Sequence, residues 1–128
     1  MRRLLLAALL AAVTLAAAGC GGKTTYTVEG TKKCLTERGA QVGGKLDFVA
    51  ETATGGALKT DLGDNFVTVA FGQTLDDGIQ IELAYQKFAY ENVKAGLADV
   101  LRRYDNAVTL WHQHPSDSDL ALVVGCLR

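Results

Sequence analysis

The sequence predicts an α+β fold: a small two-layer domain with a largely antiparallel sheet of two hairpins packed by helices. Two observations carry this. Two pairs of β-rich runs are each joined by short turn chemistry, 57–62 to 66–71 through Gly63-Asp64-Asn65 and 100–104 to 107–112 through Asp105-Asn106. Stretches with apolar residues at helical spacing lie before, between and after those pairs, so helices and hairpins are segregated along the chain.

The first helix is expected over 28–38. Val28, Thr31 and Leu35 fall on one face, Lys32, Lys33, Glu37 and Arg38 are polar, and Gly39 suits a left-handed stop. A short strand over 40–42 ends at Gly43-Gly44. In 46–53, Leu46, Val49, Ala50 and Ala53 repeat at i, i+3, i+4, i+7, which favours a short helix, while alternation of Leu46, Phe48 and Ala50 leaves a strand open. In 57–62, Leu58, Thr60 and Leu62 face one way and Lys59 and Asp61 the other. In 66–71, Val67, Val69 and Phe71 share one face and Phe66, Thr68 and Ala70 the opposite one. Both faces are fairly apolar, as an interior strand requires. Gly63-Asp64-Asn65 reads as a turn, since its acids lack the spacing of a calcium loop.

Thr74 can cap a second long helix, with Asp76 and Asp77 in its first turn where negative charge is favourable. Its pattern runs to about Lys94. Tyr85, Phe88 and Tyr90 could form an aromatic platform, but their spacing assigns them to the core. Residues 97–104 satisfy helical spacing as well. A strand over 100–104 is favoured because Asp105-Asn106 then closes a hairpin, and Arg102-Arg103 put charge on both faces, as on an edge strand. Ser116 can cap the last helix with Asp119 answering it. Leu120, Val123, Val124 and Leu127 form its core stripe, and the pattern reaches Arg128.

With 128 residues the chain fits one domain. Thirteen Lys and Arg against 14 Asp and Glu give no basic footprint for nucleic acid, and 48% hydrophobic residues are too many for a disordered chain. Arg2 and Arg3 precede an uncharged run of 15 residues, 4–18, closed by small residues. That is the pattern of a secretory signal peptide, and it falls short of the roughly 20 residues a spanning helix needs.

Ala17-Ala18-Gly19-Cys20 then resembles the lipobox of bacterial lipoproteins. Ala17 stands where that pattern most often has Leu, and Leu15 lies two places earlier. The resemblance implies diacylglyceryl attachment to the Cys20 sulfur, cleavage before Cys20 and acylation of the new amine. Two or more acyl chains give the stable anchoring that one chain does not. It further implies residence on the extracytoplasmic face of the cell membrane, with the membrane itself as partner. The chain then divides into a removed signal peptide, 1–19, a lipid-anchored tether, 20–27, and a single globular domain, 28–128. Removing Met1 to Gly19 leaves 109 residues, with 11 bases against 14 acids and a net charge of −3. The mature part resembles the many small single-domain lipoproteins of bacteria that carry no evident chemistry.

With Cys20 committed to lipid, Cys34 and Cys126 remain. Two cysteines in an oxidising compartment predict a disulfide, here joining the first and last helices. His112 and His114 are the only histidines. Two residues apart on a strand they would point the same way, as a metal site needs, with Asp117 and Asp119 close in sequence. No catalytic residue is nominated. Val42-Gly43-Gly44-Lys45 lacks the P-loop spacing, no serine sits in a Gly-x-Ser-x-Gly elbow, and no carboxylate pair stands out. No cofactor signature is present. The expected function is a non-enzymatic envelope module that binds an unknown protein or small ligand near the membrane. The alternative is a metal-binding or metal-dependent protein using His112 and His114.

Overall fold

The computed structural model describes residues 25–128. The expected signal segment and Cys20 lie outside the described residues. The elements run α1 (Val28–Glu37), β1 (Gln41–Val42), α2 (Phe48–Glu51), β2 (Ala57–Asp61), β3 (Phe66–Phe71), α3 (Leu75–Phe88), α4 (Glu91–Lys94), α5 (Leu97–Val100), β4 (Leu101–Tyr104), β5 (Ala107–Trp111) and α6 (Asp117–Gly125). The five strands form one antiparallel sheet in the order β1-β2-β3-β5-β4. Both expected hairpins are present, β2–β3 and β4–β5, and β3 is interior as its two apolar faces require. β5 lies between β3 and β4, so β3, the helices that follow it and β4 form a split crossover unit. β4, with Arg102 and Arg103, is an edge strand. The ambiguous stretch 97–104 divides into one helical turn and one strand.

Alternation along the strands sends side chains to two separate cores. Val67, Val69, Phe71, Ala107 and Trp111 pack with Leu35 of α1 and with Val123, Cys126 and Leu127 at the chain's C-terminal end. Ala70, Val108 and Leu101 pack on the other side with Val49 and Ala50 of α2, Ile81 and Tyr85 of α3, and Leu97 of α5. Helices therefore cover both faces. The domain has three layers, where two were expected. The cause is visible in β3, whose two apolar faces each need cover. The Trp111 indole N–H lies in the first core without a hydrogen-bond partner.

The disulfide is present. Cys34 on α1 and Cys126 just after α6 are bridged with Cα atoms 5.3 Å apart across 92 residues of chain. Beside it the two ends of the domain are tied together. The Thr27 N–H donates to the Arg128 carbonyl at 2.6 Å, and the Arg128 N–H donates to the Thr31 hydroxyl at 3.3 Å. Tyr26 is held too. Its N–H donates to the Asn106 side-chain oxygen at 2.7 Å and its carbonyl accepts from the Asn106 amide at 2.8 Å. Tyr26 and Thr27 thus pack as part of the folded body.

The helix ends are governed by local chemistry. Thr27 caps α1 by accepting from the Gly30 N–H. Thr74 and Asp77 form a reciprocal capping box on α3, and Asp77 also accepts from the Thr54 hydroxyl at 2.8 Å. The Asp77 carboxyl is held below its ordinary range, chiefly by that Thr54 hydroxyl. At α6 the box is half-formed: Ser116 accepts from the Asp119 N–H at 3.2 Å without a reciprocal bond. The helix stops at Gly125, short of the expected Arg128.

α3 stops at Phe88, six residues before the expected Lys94. Ala89 and Tyr90 are extended, and the single turn α4 follows. No glycine or proline marks the break. The i, i+4 row of Ile81 and Tyr85 continues through Ala89, which packs against the second core, to Val93, which lines a recess beside the sheet. The apolar pattern therefore runs on past Phe88, and the break is not marked in it.

Gly78 sets how closely α3 approaches the β4–β5 turn. A Cβ there would lie 2.6 Å from the Asp105 carbonyl oxygen and 2.8 Å from Asn106 Cα. Both are backbone atoms and cannot swing away. Gly78→Ala should destabilise the domain by about 1–3 kcal/mol, although alanine is the better helix former. Urea titration of the two proteins measures it, and equal midpoints would contradict the close approach.

Candidate ligand-binding groove

One face of the sheet is only partly roofed. α2, α3 and α5 cover the row formed by Ala57, Ala70 and Val108. The next row, in which Thr68 pairs with both Lys59 and Leu110, opens into a groove. The groove comprises two recesses. One, about 330 Å³, lies against Phe48, Tyr85, Phe88, Tyr90 and Leu97. The other, about 710 Å³, lies against Lys45, Leu46, Lys59, Phe66, Thr68 and His112. They share Asp47, Val93 and Leu110 and so meet along that wall.

The aromatic end follows from the break after α3. The extended Ala89 and Tyr90 turn the chain out of the helix, leaving Phe88 58% and Tyr90 80% exposed. Phe48 at the start of α2 is 66% exposed and meets Phe88 edge-on, ring centroids 6.1 Å apart. Of the three aromatics assigned to the core by spacing, only Tyr85 is buried. Phe88 and Tyr90 line the groove mouth. Exposed large apolar groups gathered around one recess mark an interaction site more often than a random surface does.

Asp47 joins the groove to the helices. Its carboxylate caps α2 by accepting from the Ala50 N–H at 2.9 Å. The Tyr85 hydroxyl donates to the same carboxylate at 2.9 Å. The Tyr85 phenol is raised well above its ordinary range, first by burial, then by the Asp47 charge and by that hydrogen bond. The folded state therefore binds this proton more tightly than the unfolded chain does. The stability Tyr85 contributes is undiminished below its unfolded pKa of about 10 and is lost as pH rises beyond it. The stability gap between the native protein and Tyr85→Phe should be widest at neutral pH and narrow above about pH 10. Denaturant midpoints across that range test it, and a gap that widened with alkali would have the wrong sign.

The other end of the groove is cationic. Lys59 Nζ sits 4.0 Å from the centroid of the Phe66 ring, and His112 stacks on that ring with centroids 4.5 Å apart. Lys45 stands at the rim.

The two candidate metal ligands have different surroundings. His112 follows the end of β5 and stacks on Phe66, whereas His114 Nδ1 pairs with Asp99 Oδ1 at 2.6 Å. The strand ends at Trp111, so the two-residue repeat that would align the imidazoles does not reach them. Among the described residues, no group of three or more His, Cys, Asp and Glu side chains is arranged to hold a metal ion. Asp117 and Asp119 lie in the first turn of α6. Cys20, the candidate lipidation residue, is outside the described residues. Cys34 and Cys126 are spent on the disulfide.

The chain matches no protein-family model, no curated protein and no solved structure. The groove must therefore be read from its own chemistry. Its floor is apolar, its mouth aromatic, and its charged groups are two ammonium ions at one end and a carboxylate already engaged by Tyr85 and Ala50. That arrangement can desolvate an apolar ligand and hold a polar group of that ligand at one end. Phe48, Val93 and Leu110 were not nominated from the sequence. A signal existed for Phe48, the one large apolar residue of its segment that falls off the helical stripe of Leu46, Val49, Ala50 and Ala53.

Proposed function

We propose that this protein is a membrane-anchored extracytoplasmic lipoprotein acting as a non-enzymatic binding module, with the groove between α2, α4 and the sheet as its ligand site. The observation that carries the reading is the gathering of exposed Phe48, Phe88 and Tyr90 around one apolar recess. The lipobox-like Ala17-Ala18-Gly19-Cys20 supports the anchor. The Cys34–Cys126 bridge supports an oxidising compartment, since such bonds persist outside the cytosol. No helix among the described residues is long and apolar enough to cross a membrane.

Two measurements test the reading. The intact mass of the chain extracted from cell membranes should show an N-terminus at Cys20 carrying acyl groups. An unmodified chain beginning at Met1 would refute the anchor. A fluorescent apolar dye should bind the whole chain, and Phe88→Ser/Tyr90→Ser should weaken that binding by about tenfold, the scale of losing roughly 1.4 kcal/mol of apolar contact. Both side chains are largely exposed, so the fold should survive the change. Undiminished dye binding by the variant would refute the groove.

A further inference from the structure

We infer that the groove takes an anionic amphiphile, a fatty-acyl chain whose carboxylate or phosphate head lies between Lys45 and Lys59. This rests on the binding-groove reading and names the chemistry of its ligand. The inference comes from the change of polarity along the groove. The recess at Phe88, Tyr90 and Leu97 is apolar apart from Asp47, whose two carboxylate oxygens both accept from Tyr85. The adjoining recess shares Asp47, engaged by Tyr85 and the Ala50 N–H, and adds Lys45, Lys59 and the His112 ring, so cationic groups outnumber the one carboxylate there. Among the described residues neither lysine is in a salt bridge, so both charges are open to a ligand. The Lys59 ammonium moreover sits over the Phe66 ring, within the same recess.

Charge and shape together select the ligand. An uncharged apolar molecule fills one recess and leaves the ammonium groups without a partner. A cationic amphiphile is repelled by them. An extended peptide has no strand edge to pair with here, because β3 and β5, which make the floor, are already bonded on both sides. An acyl chain with an anionic head satisfies both ends, and recesses of about 330 and 710 Å³ fall in the range of small-molecule sites.

The test uses the whole chain in phosphatidylcholine vesicles with two photoreactive probes of equal chain length, a diazirine-bearing hexadecanoate and the matching hexadecanol. Labelled peptides are mapped by mass spectrometry. The carboxylate probe should label α4 and β5 about three- to tenfold more than the alcohol, the scale of one or two solvent-facing ion pairs. Lys45→Glu/Lys59→Glu should bring it down to the level of the alcohol. Lys45 is exposed and Lys59 only half-buried, and an unchanged circular dichroism spectrum certifies the variant's fold. Equal labelling by acid and alcohol overturns the anionic ligand and leaves the groove reading intact. Labelling by neither probe overturns both. Crosslinks that place a second copy of the chain over these peptides also overturn it. Unlabelled hexadecanoate and phosphatidylglycerol serve as competitors. Competition by phosphatidylglycerol assigns a phospholipid source, competition by hexadecanoate alone assigns a free fatty acid, and competition by neither refutes the site.

Discussion

Replacing Cys34 and Cys126 by serine should lower the melting temperature of the domain by roughly 10–30 °C. The bridge closes a loop of 92 residues, for which chain-entropy reasoning gives up to about 4–5 kcal/mol, and losing such a bond from a small domain typically costs about 2–5 kcal/mol. Each kcal/mol corresponds to about 4–8 °C in a domain of this size. The effect should be large here because the bond ties α1 to the segment after α6 within the first core. Leu35, Val123, Cys126 and Leu127 form one wall of the first core, and α1 and α6 meet the sheet there. Thermal unfolding followed by circular dichroism, for the native and the double-serine protein, measures it. A native sample unfolded and refolded with excess reductant should match the variant. A shift of only a degree or two would mean that the wall holds without its covalent tie.

Asn106→Ala should cost about 2–4 kcal/mol, more than its place in a turn suggests. The side chain is fully buried and makes three hydrogen bonds to backbone groups. Its amide donates to the Gly72 carbonyl at 2.7 Å and to the Tyr26 carbonyl at 2.8 Å, and its oxygen accepts from the Tyr26 N–H at 2.7 Å. Alanine removes all three and leaves those groups unpaired. A buried polar group without a partner costs about 1–3 kcal/mol, moderated here because Tyr26 is partly open to water. The urea midpoint should fall with an unchanged slope, the sign of lost stability without a change in the surface exposed. Amide exchange should quicken at Tyr26 and Thr27 in the same variant. Native protection there would contradict the docking.

These two sites show what the sequence disclosed and what it could not. Strand faces and turn residues repeat at fixed short intervals, so β2, β3, β4 and β5 were legible to within a residue or two. The disulfide was legible by counting, once Cys20 was set aside. The second role of Asn106 was not. Asparagine suits the hairpin turn in which it stands, and nothing local reveals that Tyr26, 80 residues away, docks on it. The end of α3 was missed because no residue that breaks helices marks it and the apolar row of Ile81 and Tyr85 runs on through Ala89 and Val93. The groove was missed for a related reason. Phe48, Phe88, Val93 and Leu110 come from four elements, and apart from Phe48, which falls off its helical stripe, none stands out within its own segment. Only packing brings them together. The third layer, by contrast, was within reach, because a strand apolar on both faces implies cover on both.

The bridge beside the joined ends also decides how the domain responds to a pull. Tension between residue 25 and Arg128 first meets the Tyr26–Asn106 and Thr27–Arg128 hydrogen bonds, loaded side by side. Once those give way, the chain can pay out only as far as Cys34 on one side and Cys126 on the other. The tension then crosses from sulfur to sulfur and bypasses the sheet. About eleven residues lie outside the closed loop, so the greatest extension is roughly 40 Å at full stretch. A single-molecule trace should show that short release and then a stiff covalent limit, with the unfolding step of the whole domain appearing only after reduction. The groove would keep its shape under a load applied through residue 25 and Arg128.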